Sequence, residues 1–121
     1  MTIPNRSIAI VDDDGRVLES LANLLAAFGY APRPFLSAAD MLAADILSQV
    51  CCVITDRQMP VMSGLDLLEH IKQSGLSVPV IIITGKPSED TESFYASQGA
   101  AGFLRKPLDC DALYCLLQRW C

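Results

Sequence analysis

Two unbroken apolar runs constrain the fold most: VCCVIT at residues 50–55 and VIIIT at residues 80–84. A strand in a sheet with one solvated face alternates apolar and polar side chains, and neither run does so. Unbroken apolar strands are typical of a parallel sheet that helices cover on both faces. The two runs therefore predict an α/β fold.

The rest of the chain alternates between strand candidates and segments with the apolar spacing of a helix. Pro32 and Pro34 make the second strand irregular, which favours a place near the sheet edge. The predicted strands are Ser7–Val11, Arg33–Leu36, Val50–Thr55, Val80–Thr84 and Gly102–Leu104. The helices between and after them are predicted to begin near Asp14, Ser37, Ser63, Ser88 and Asp109, with Gly29, Gly75 and Gly99 ending the first, third and fourth.

Length and composition fit one globular domain, residues 1–121, with 19% charged and 51% hydrophobic residues. The net charge of −5 argues against this chain binding a nucleic-acid backbone by itself, and no apolar run is long enough to span a membrane. Five cysteines, an odd number without a CxxC pair, favour a reducing, cytoplasmic location over a disulfide framework. Cys51 and Cys52 are expected to be small core residues.

Polar residues with useful chemistry fall at the ends of the predicted strands. Asp12 and Asp13 follow the first strand, Asp56 follows the third, Thr84 ends the fourth and Lys106 follows the fifth. In open parallel sheets, ligands bind beyond the carboxyl ends of the strands. These five side chains are therefore expected to share one rim of the sheet.

Four segments carry a resemblance to a known family: DD at 12–13, TDRQMPVMSG at 55–64, ITG at 83–85 and FLRKP at 103–107. Together they resemble the receiver domain of two-component response regulators, closest to receivers that precede helix-turn-helix output domains. The resemblance implies a doubly wound, flavodoxin-like, five-stranded parallel sheet of order 2-1-3-4-5 with five helices. It also implies that a histidine kinase donates a phosphoryl group to Asp56, and that the switched domain controls an output, expected to be transcription. Any output domain would be absent from this chain.

The acidic residues have a chemical explanation of their own. Crowded carboxylates repel one another, and a hard cation among them relieves that cost and helps an anionic nucleophile meet a phosphoryl donor. Asp12 and Asp13 are then expected to hold Mg²⁺, with Mn²⁺ as an alternative, while Asp56 is both nucleophile and metal ligand. The resemblance adds the backbone carbonyl of Gln58 to the ligands, and Asp14 is left to cap the first helix.

Lys106 and Thr84 are expected to pair with the new phosphoryl group, the first by charge and the second by a hydrogen bond. The domain would then be a stoichiometric phosphoacceptor that catalyses its own phosphorylation and dephosphorylation, and not a turnover enzyme. In receivers the peptide bond before Pro107 is typically cis. His70, the single histidine, lies beside the apolar stripe of its helix and is expected on the surface, so another protein must supply the phosphodonor histidine.

The resemblance also assigns a switch to Thr84 and Phe103, in which the threonine moves toward the phosphoryl group and the aromatic ring turns inward. The readout is expected near Phe94, Tyr95 and Arg105, with a phosphorylation-dependent homodimer as one outcome.

Similar receivers usually continue after the Thr–Gly pair with a small or polar residue and another glycine, whereas this chain has Lys86 and Pro87, and the proline stiffens the loop. Lys86 is expected either to shield the acyl phosphate and tune its lifetime, or to remain a solvated lysine.

A rival prediction comes from VDDDGRV at 11–17, which also resembles the first motif of Mg²⁺-dependent haloacid-dehalogenase-type phosphatases. Asp12 would then be the nucleophile and Asp14 the general acid. Arg16 occupies a position that is usually Thr or Val, and only Asp109 and Asp111 remain for the last acidic motif. A flavin-binding flavodoxin is a third possibility, but three carboxylates would repel the phosphate of the flavin. The receiver resemblance is therefore preferred.

Overall fold

Five strands and five helices alternate in the computed structural model of the chain, which describes residues 6–85 and 92–121. The strands are β1 Ser7–Val11, β2 Ala31–Phe35, β3 Cys52–Asp56, β4 Val80–Thr84 and β5 Gly102–Arg105. The helices are α1 Gly15–Ala27, α2 Ala38–Ala43, α3 Gly64–Gln73, α4 Glu92–Ser97 and α5 Cys110–Trp120, and a short 3₁₀ turn covers Leu47–Gln49. That turn was not predicted.

All strand pairs are parallel, and the sheet order is β2-β1-β3-β4-β5. The expected doubly wound sheet with five helices is confirmed. In the central register, Val11 pairs with Thr55 and Asp56 pairs with Ile83. The carboxyl ends of β1, β3 and β4 therefore lie side by side.

Helices cover both faces of the sheet, which explains the unbroken apolar runs. Alternate residues of β4 enter opposite cores: Val80 and Ile82 pack on one face, and Ile81 and Ile83 on the other. The first core also contains buried residues of α2, α3 and α4, whereas the second contains those of α1 and α5. All five residues of β4 are buried, so neither face of this strand is exposed to water.

The edge position predicted for β2 from its prolines is confirmed. Ala31 donates to Arg6 at 2.9 Å, and Phe35 accepts from Asp12 at 3.2 Å, so the odd-numbered residues of β2 face β1. Pro32 and Pro34 therefore direct their nitrogens toward the open edge, where the missing N–H groups break no sheet hydrogen bond.

Most of the helix caps predicted from the sequence are present in the structure. Asp14 accepts a hydrogen bond from the Arg16 amide at 2.9 Å, and Ser63 forms a reciprocal capping box with Asp66. The three predicted helix-ending glycines have positive φ values, which glycine adopts without the steric cost of a side chain. The predicted start of the fourth helix at Ser88 lies outside the described residues.

The expectation that Cys51 is a small core residue is wrong, because Cys51 is only partly buried and is joined to another cysteine. Cys51 and Cys121 form a disulfide across 70 residues of sequence, with their Cα atoms 5.5 Å apart. The reason is topological: α5 runs back along the sheet and ends beside the residue that precedes β3. Cys52 is buried in the core as predicted, and burial raises the pKa of its thiol to about 12. Within the described residues, no helix has the length and apolar character needed to cross a bilayer.

Candidate functional site

Three carboxylates meet at the rim formed by β1 and β3. Asp12 and Asp13 directly follow β1, and Asp56 is the last residue of β3, its neighbour in the sheet. One carboxylate oxygen from each lies within 4.8 Å of the others. Asp12 is buried, Asp13 is exposed and Asp56 is intermediate, so the cluster reaches from the protein interior to solvent.

Asp12 is held in place by the backbone around it. Its Oδ1 atom accepts a hydrogen bond from the Asp14 amide at 2.9 Å, and its own amide donates to Phe35 of β2 at 3.2 Å. These bonds leave its Oδ2 atom facing Lys106.

Lys106 supplies the cation that faces these acids. Its Nζ atom lies 3.4 Å from Asp12 Oδ2 and 3.9 Å from Asp56 Oδ1. The Lys106 amide donates to the Thr84 carbonyl at 2.8 Å, which ties the end of β5 to the end of β4. The Lys106–Pro107 peptide is cis, as the resemblance implied.

A pocket of about 550 Å³ opens above the acids. Its lining contains five of the residues predicted from sequence, and the full set is Asp13, Asp56, Gln58, Met59, Pro60, Thr84, Gly85 and Lys106. Thr84 is buried at the end of β4, so it contributes to the wall of the pocket from the interior side.

The electrostatics of the pocket act most strongly on Asp56. Burial raises the pKa of its carboxyl, Lys106 opposes that rise, and the neighbouring charges of Asp12 and Asp13 add to it. The folded protein without a cation therefore favours the protonated form of Asp56 more than water does. A divalent cation among the three carboxylates would reverse this preference, and the donor set of three hard oxygen ligands fits Mg²⁺.

The family follows from comparison of the chain with known protein families. Residues 8–118 match the response regulator receiver domain. The chain belongs to the response regulator receiver family. Its sheet order, its acidic cluster and the rim lysine, Lys106, are thus the features of a receiver.

Known relatives agree with this assignment. The transcriptional regulatory protein FixJ of Azorhizobium caulinodans is 39% identical over 106 residues, covering 88% of this chain and 50% of FixJ. The response regulator protein TodT of Pseudomonas putida is 37% identical over 101 residues, covering 83% of this chain and 44% of TodT. A receiver domain structure from Clostridium thermocellum is 30% identical with a TM-score of 0.86, covering 93% of this chain and 91% of that one. The receiver spans about half the length of these curated relatives.

The phosphatase alternative finds no support in this receiver. Asp14, which that mechanism needs as the general acid, caps α1 through the Arg16 amide. Asp109 and Asp111 lie at the start of α5, where Asp109 caps the helix and Asp111 belongs to its first turn. All three acids thus have structural roles at helix starts.

The loop from β3 to α3 contains two features that sequence reasoning missed. Gly64 donates to the Arg57 carbonyl at 2.9 Å, and a Cβ atom at Gly64 would overlap the Asp56 carbonyl oxygen. Only glycine therefore fits where α3 begins against the end of β3. Val61 is fully exposed and has a φ of 70°, a left-handed conformation that a β-branched residue adopts at a cost in energy.

Phe103 lies near the pocket but does not line it. Its ring is partly buried against the first core and stacks on Tyr95, with the ring centroids 4.3 Å apart. Tyr95 is completely buried, so its expected place on an exposed readout surface is wrong; it packs in the core beneath Phe103. Arg105 is exposed on β5, and its guanidinium lies 5.3 Å from the centroid of the Phe103 ring.

Two further residues singled out from the sequence are His70 and Lys86. His70 is exposed, as expected. Lys86 lies outside the described residues, so its predicted tuning role stays an expectation.

Proposed function

We propose that this receiver accepts a phosphoryl group from a sensor histidine kinase onto Asp56 and switches conformation to control transcription. One observation supports the proposal most: carboxylates of Asp12, Asp13 and Asp56 lie within 4.8 Å of one another, with the Lys106 amine facing two of them. FixJ, whose receiver half this chain resembles, is a transcriptional regulatory protein. The kinase, the output and a cytoplasmic location are inferred from this kinship.

Asp56 is the nucleophile in this proposal. Its carboxylate oxygen attacks the phosphorus of the donor in line with the leaving group, and an acyl phosphate forms as that group departs. Asp12, Asp13 and Asp56, with the backbone carbonyl of Gln58, would hold Mg²⁺ or Mn²⁺. When bound, the cation neutralises the charge that gathers on the phosphoryl oxygens.

Lys106 and Thr84 stabilise the product. Lys106 already lies 3.9 Å from Asp56, so its amine can pair with a phosphoryl oxygen after a small movement. Thr84 lines the same pocket and can donate a hydrogen bond to another oxygen. Because these groups surround both the attacking oxygen and the phosphoryl group, the domain promotes its own phosphorylation and, with water as the nucleophile, its own dephosphorylation. Each chain is modified once, so the receiver is a stoichiometric phosphoacceptor.

The direct test supplies a small phosphodonor in place of the kinase. With acetyl phosphate and Mg²⁺, the intact mass should rise by one phosphate per chain, because the receiver provides the nucleophile and the charge stabilisation itself. Excess EDTA should prevent the rise by removing the cation from the carboxylates. Uptake that is unchanged in EDTA, or modification of a serine or cysteine in peptide maps, would contradict the proposal.

The switch is proposed to run from Thr84 through Phe103. Thr84 pairs with Arg105 in the register of β4 and β5, and Phe103 lies two residues before Arg105 on the same strand. Phosphoryl oxygens that attract the Thr84 hydroxyl would shift the end of β4 against β5. Since Phe103 is already stacked on Tyr95, with a cavity of about 50 Å³ beside both rings, the response is a repacking of this aromatic pair.

Repacking of the pair would alter the neighbouring surface, where Phe94 is partly buried and Arg105 is exposed, and we propose that this surface forms a homodimer after phosphorylation. Sedimentation of the receiver with beryllofluoride and Mg²⁺ should show dimers, whereas the untreated receiver stays monomeric. Phe103→Ala should still bind beryllofluoride, because the carboxylates are unchanged. A smaller fraction of it should form dimers, because the aromatic ring that repacks is gone. A beryllofluoride-bound receiver that stays monomeric would direct the output to another surface.

A further inference from the structure

Cys51 and Cys121 join two parts of the fold that are distant in sequence. Cys51 directly precedes β3, and Cys121 directly follows α5. The disulfide therefore attaches the end of the last helix to the amino-terminal end of a central strand. Asp56 is the last residue of that strand, so about five residues at roughly 3.3 Å each separate the disulfide from the phosphoacceptor.

The two cysteines are brought together by contacts that do not depend on the bond between them. The Cys51 amide donates to the Ser7 carbonyl at 2.8 Å, and the Cys121 amide donates to the Leu117 carbonyl at 2.7 Å. Leu117 is completely buried in the core between α5 and the sheet. Because these contacts fix both backbones, the two thiols would remain neighbours after reduction.

In the reduced state, the Cys51 thiol would have a hydrogen-bond acceptor close by. The Cys51 sulfur lies 3.3 Å from the Ser7 carbonyl oxygen. In the disulfide this sulfur carries no proton, but as a thiol it can donate a weak hydrogen bond to that oxygen. Both sulfurs belong to residues of intermediate exposure, so a small reagent can reach the bond from solvent.

The other three cysteines are placed differently. Cys52 is completely buried, and its sulfur lies 3.7 Å from the Val53 carbonyl oxygen, so neither solvent nor another thiol reaches it. Cys110 and Cys115 are exposed on α5 and are free thiols. Among the five cysteines, only one pair is joined.

We propose that Cys51 and Cys121 form a reversible thiol–disulfide site, in which oxidation fixes the end of α5 to β3 and reduction releases it. Disulfides in a reducing compartment are transient and serve redox chemistry, so a lone bridge in a chain proposed to be cytoplasmic fits this role better than a permanent structural one. The site lies at the opposite end of β3 from Asp56, so it is separate from the pocket that the acids line.

The chemistry uses a dithiol as reductant and a disulfide as oxidant. A thiolate of the dithiol attacks one sulfur of the bridge and displaces the other as a thiolate, which takes up a proton. The second thiol of the reductant then closes its own disulfide and releases the second cysteine, so two electrons and two protons pass to the protein. Oxidised glutathione reverses the change by accepting the same two electrons and yielding two molecules of reduced glutathione.

Oxidation should stabilise the fold, because the bridge closes a long loop and restricts the unfolded chain. The melting temperature of the oxidised receiver is expected to exceed that of the reduced receiver by on the order of 10 °C. Amide exchange in the last turn of α5, residues 117–120, should be slower in the oxidised form because its end is anchored.

The test equilibrates the purified receiver with dithiothreitol or with oxidised glutathione, denatures each sample in acid, alkylates it and measures its mass. The reduced protein should take up five alkyl groups, whereas in the oxidised protein residues 51 and 121 should take up none and should be joined in a peptide map. After dithiothreitol is added to the folded, oxidised protein, the uptake should return to five alkyl groups. A bond that cannot be reduced in the folded state, or that does not form again, would overturn the proposal.

Cys121→Ser is the decisive variant, because Cys121 packs only at the margin of the second core, after the end of α5, and serine has nearly the same shape as cysteine. It should form no internal bridge, and its melting temperature should be the same under both conditions. Cys115→Ser is the matched control, since it removes an exposed thiol from the same helix and should keep the full redox response. If Cys115→Ser loses the response, or if Cys121→Ser keeps it, a different pair is involved and the assignment fails.

Discussion

Asp56→Asn is expected to take up no phosphate from acetyl phosphate, whereas the parent receiver gains one phosphate per chain. The amide lacks the anionic oxygen that attacks phosphorus, and the substitution also removes one of the three carboxylates that face one another at the rim. Uptake should fall at least about 100-fold, to background. Intact mass spectrometry of the two proteins, treated together with Mg²⁺, measures the difference.

The same variant should be more stable than the parent at neutral pH when no divalent cation is present. Burial and neighbouring acids raise the pKa of Asp56 above its ordinary value of 3.8, so the folded state holds this proton more tightly than the unfolded state. Stability therefore falls as the pH rises from that value through the raised pKa, and the loss persists at neutral pH. Asparagine does not ionise, so its advantage in melting temperature should shrink as the pH is lowered toward 3.8.

Asp45→Asn is the control for both measurements. Asp45 is exposed and has a φ of 52°, a conformation that asparagine tolerates equally well. It should take up phosphate like the parent and should show no comparable gain in stability. If Asp56→Asn still took up phosphate while Asp12→Asn did not, the nucleophile would be Asp12 and the phosphatase alternative would regain support.

The sheet could be predicted from the sequence because its signals are strong and local. Four consecutive isoleucine and valine residues in β4 leave no polar face, and two prolines separated by one residue suit only an edge strand. The bounds of β2 and of the second helix were harder to locate. Prolines hide the start of β2, and α2 spans only six residues, too few to show a helical period.

The gathering of the acids, Thr84 and Lys106 at one rim could also be predicted, since each of them ends or follows a strand and the parallel topology brings the strand ends together. Long-range placement was harder to predict. The sequence treated Tyr95 as a surface residue of α4, whereas the structure buries it beneath Phe103. The partnership of Cys51 with Cys121 depends on where α5 ends relative to β3, which is a property of the assembled layers and has no local signal.

Asp13→Ala is expected to abolish Mg²⁺-dependent phosphorylation while the fold is retained. Asp13 is the exposed member of the acidic cluster, so its carboxylate is the one that meets a cation arriving from solvent. Asp12 is less available, because its two oxygens already face the Asp14 amide and Lys106. Loss of Asp13 should weaken Mg²⁺ binding by on the order of 100-fold, and uptake of phosphate at a fixed Mg²⁺ concentration should fall with it.

Thermal melting over a range of Mg²⁺ concentrations separates metal binding from folding. The melting temperature of the parent should rise with Mg²⁺, since a ligand that binds only the folded state stabilises it. Asp13→Ala should melt at the same or a higher temperature than the parent without Mg²⁺, because one of three repelling charges is gone, and should respond little when Mg²⁺ is added. Glu19→Ala, which removes an exposed acid of α1 away from the cluster, should respond like the parent. An Asp13→Ala receiver that matched the parent in its Mg²⁺ response would leave Asp12 and Asp56 as the only carboxylates in the metal site.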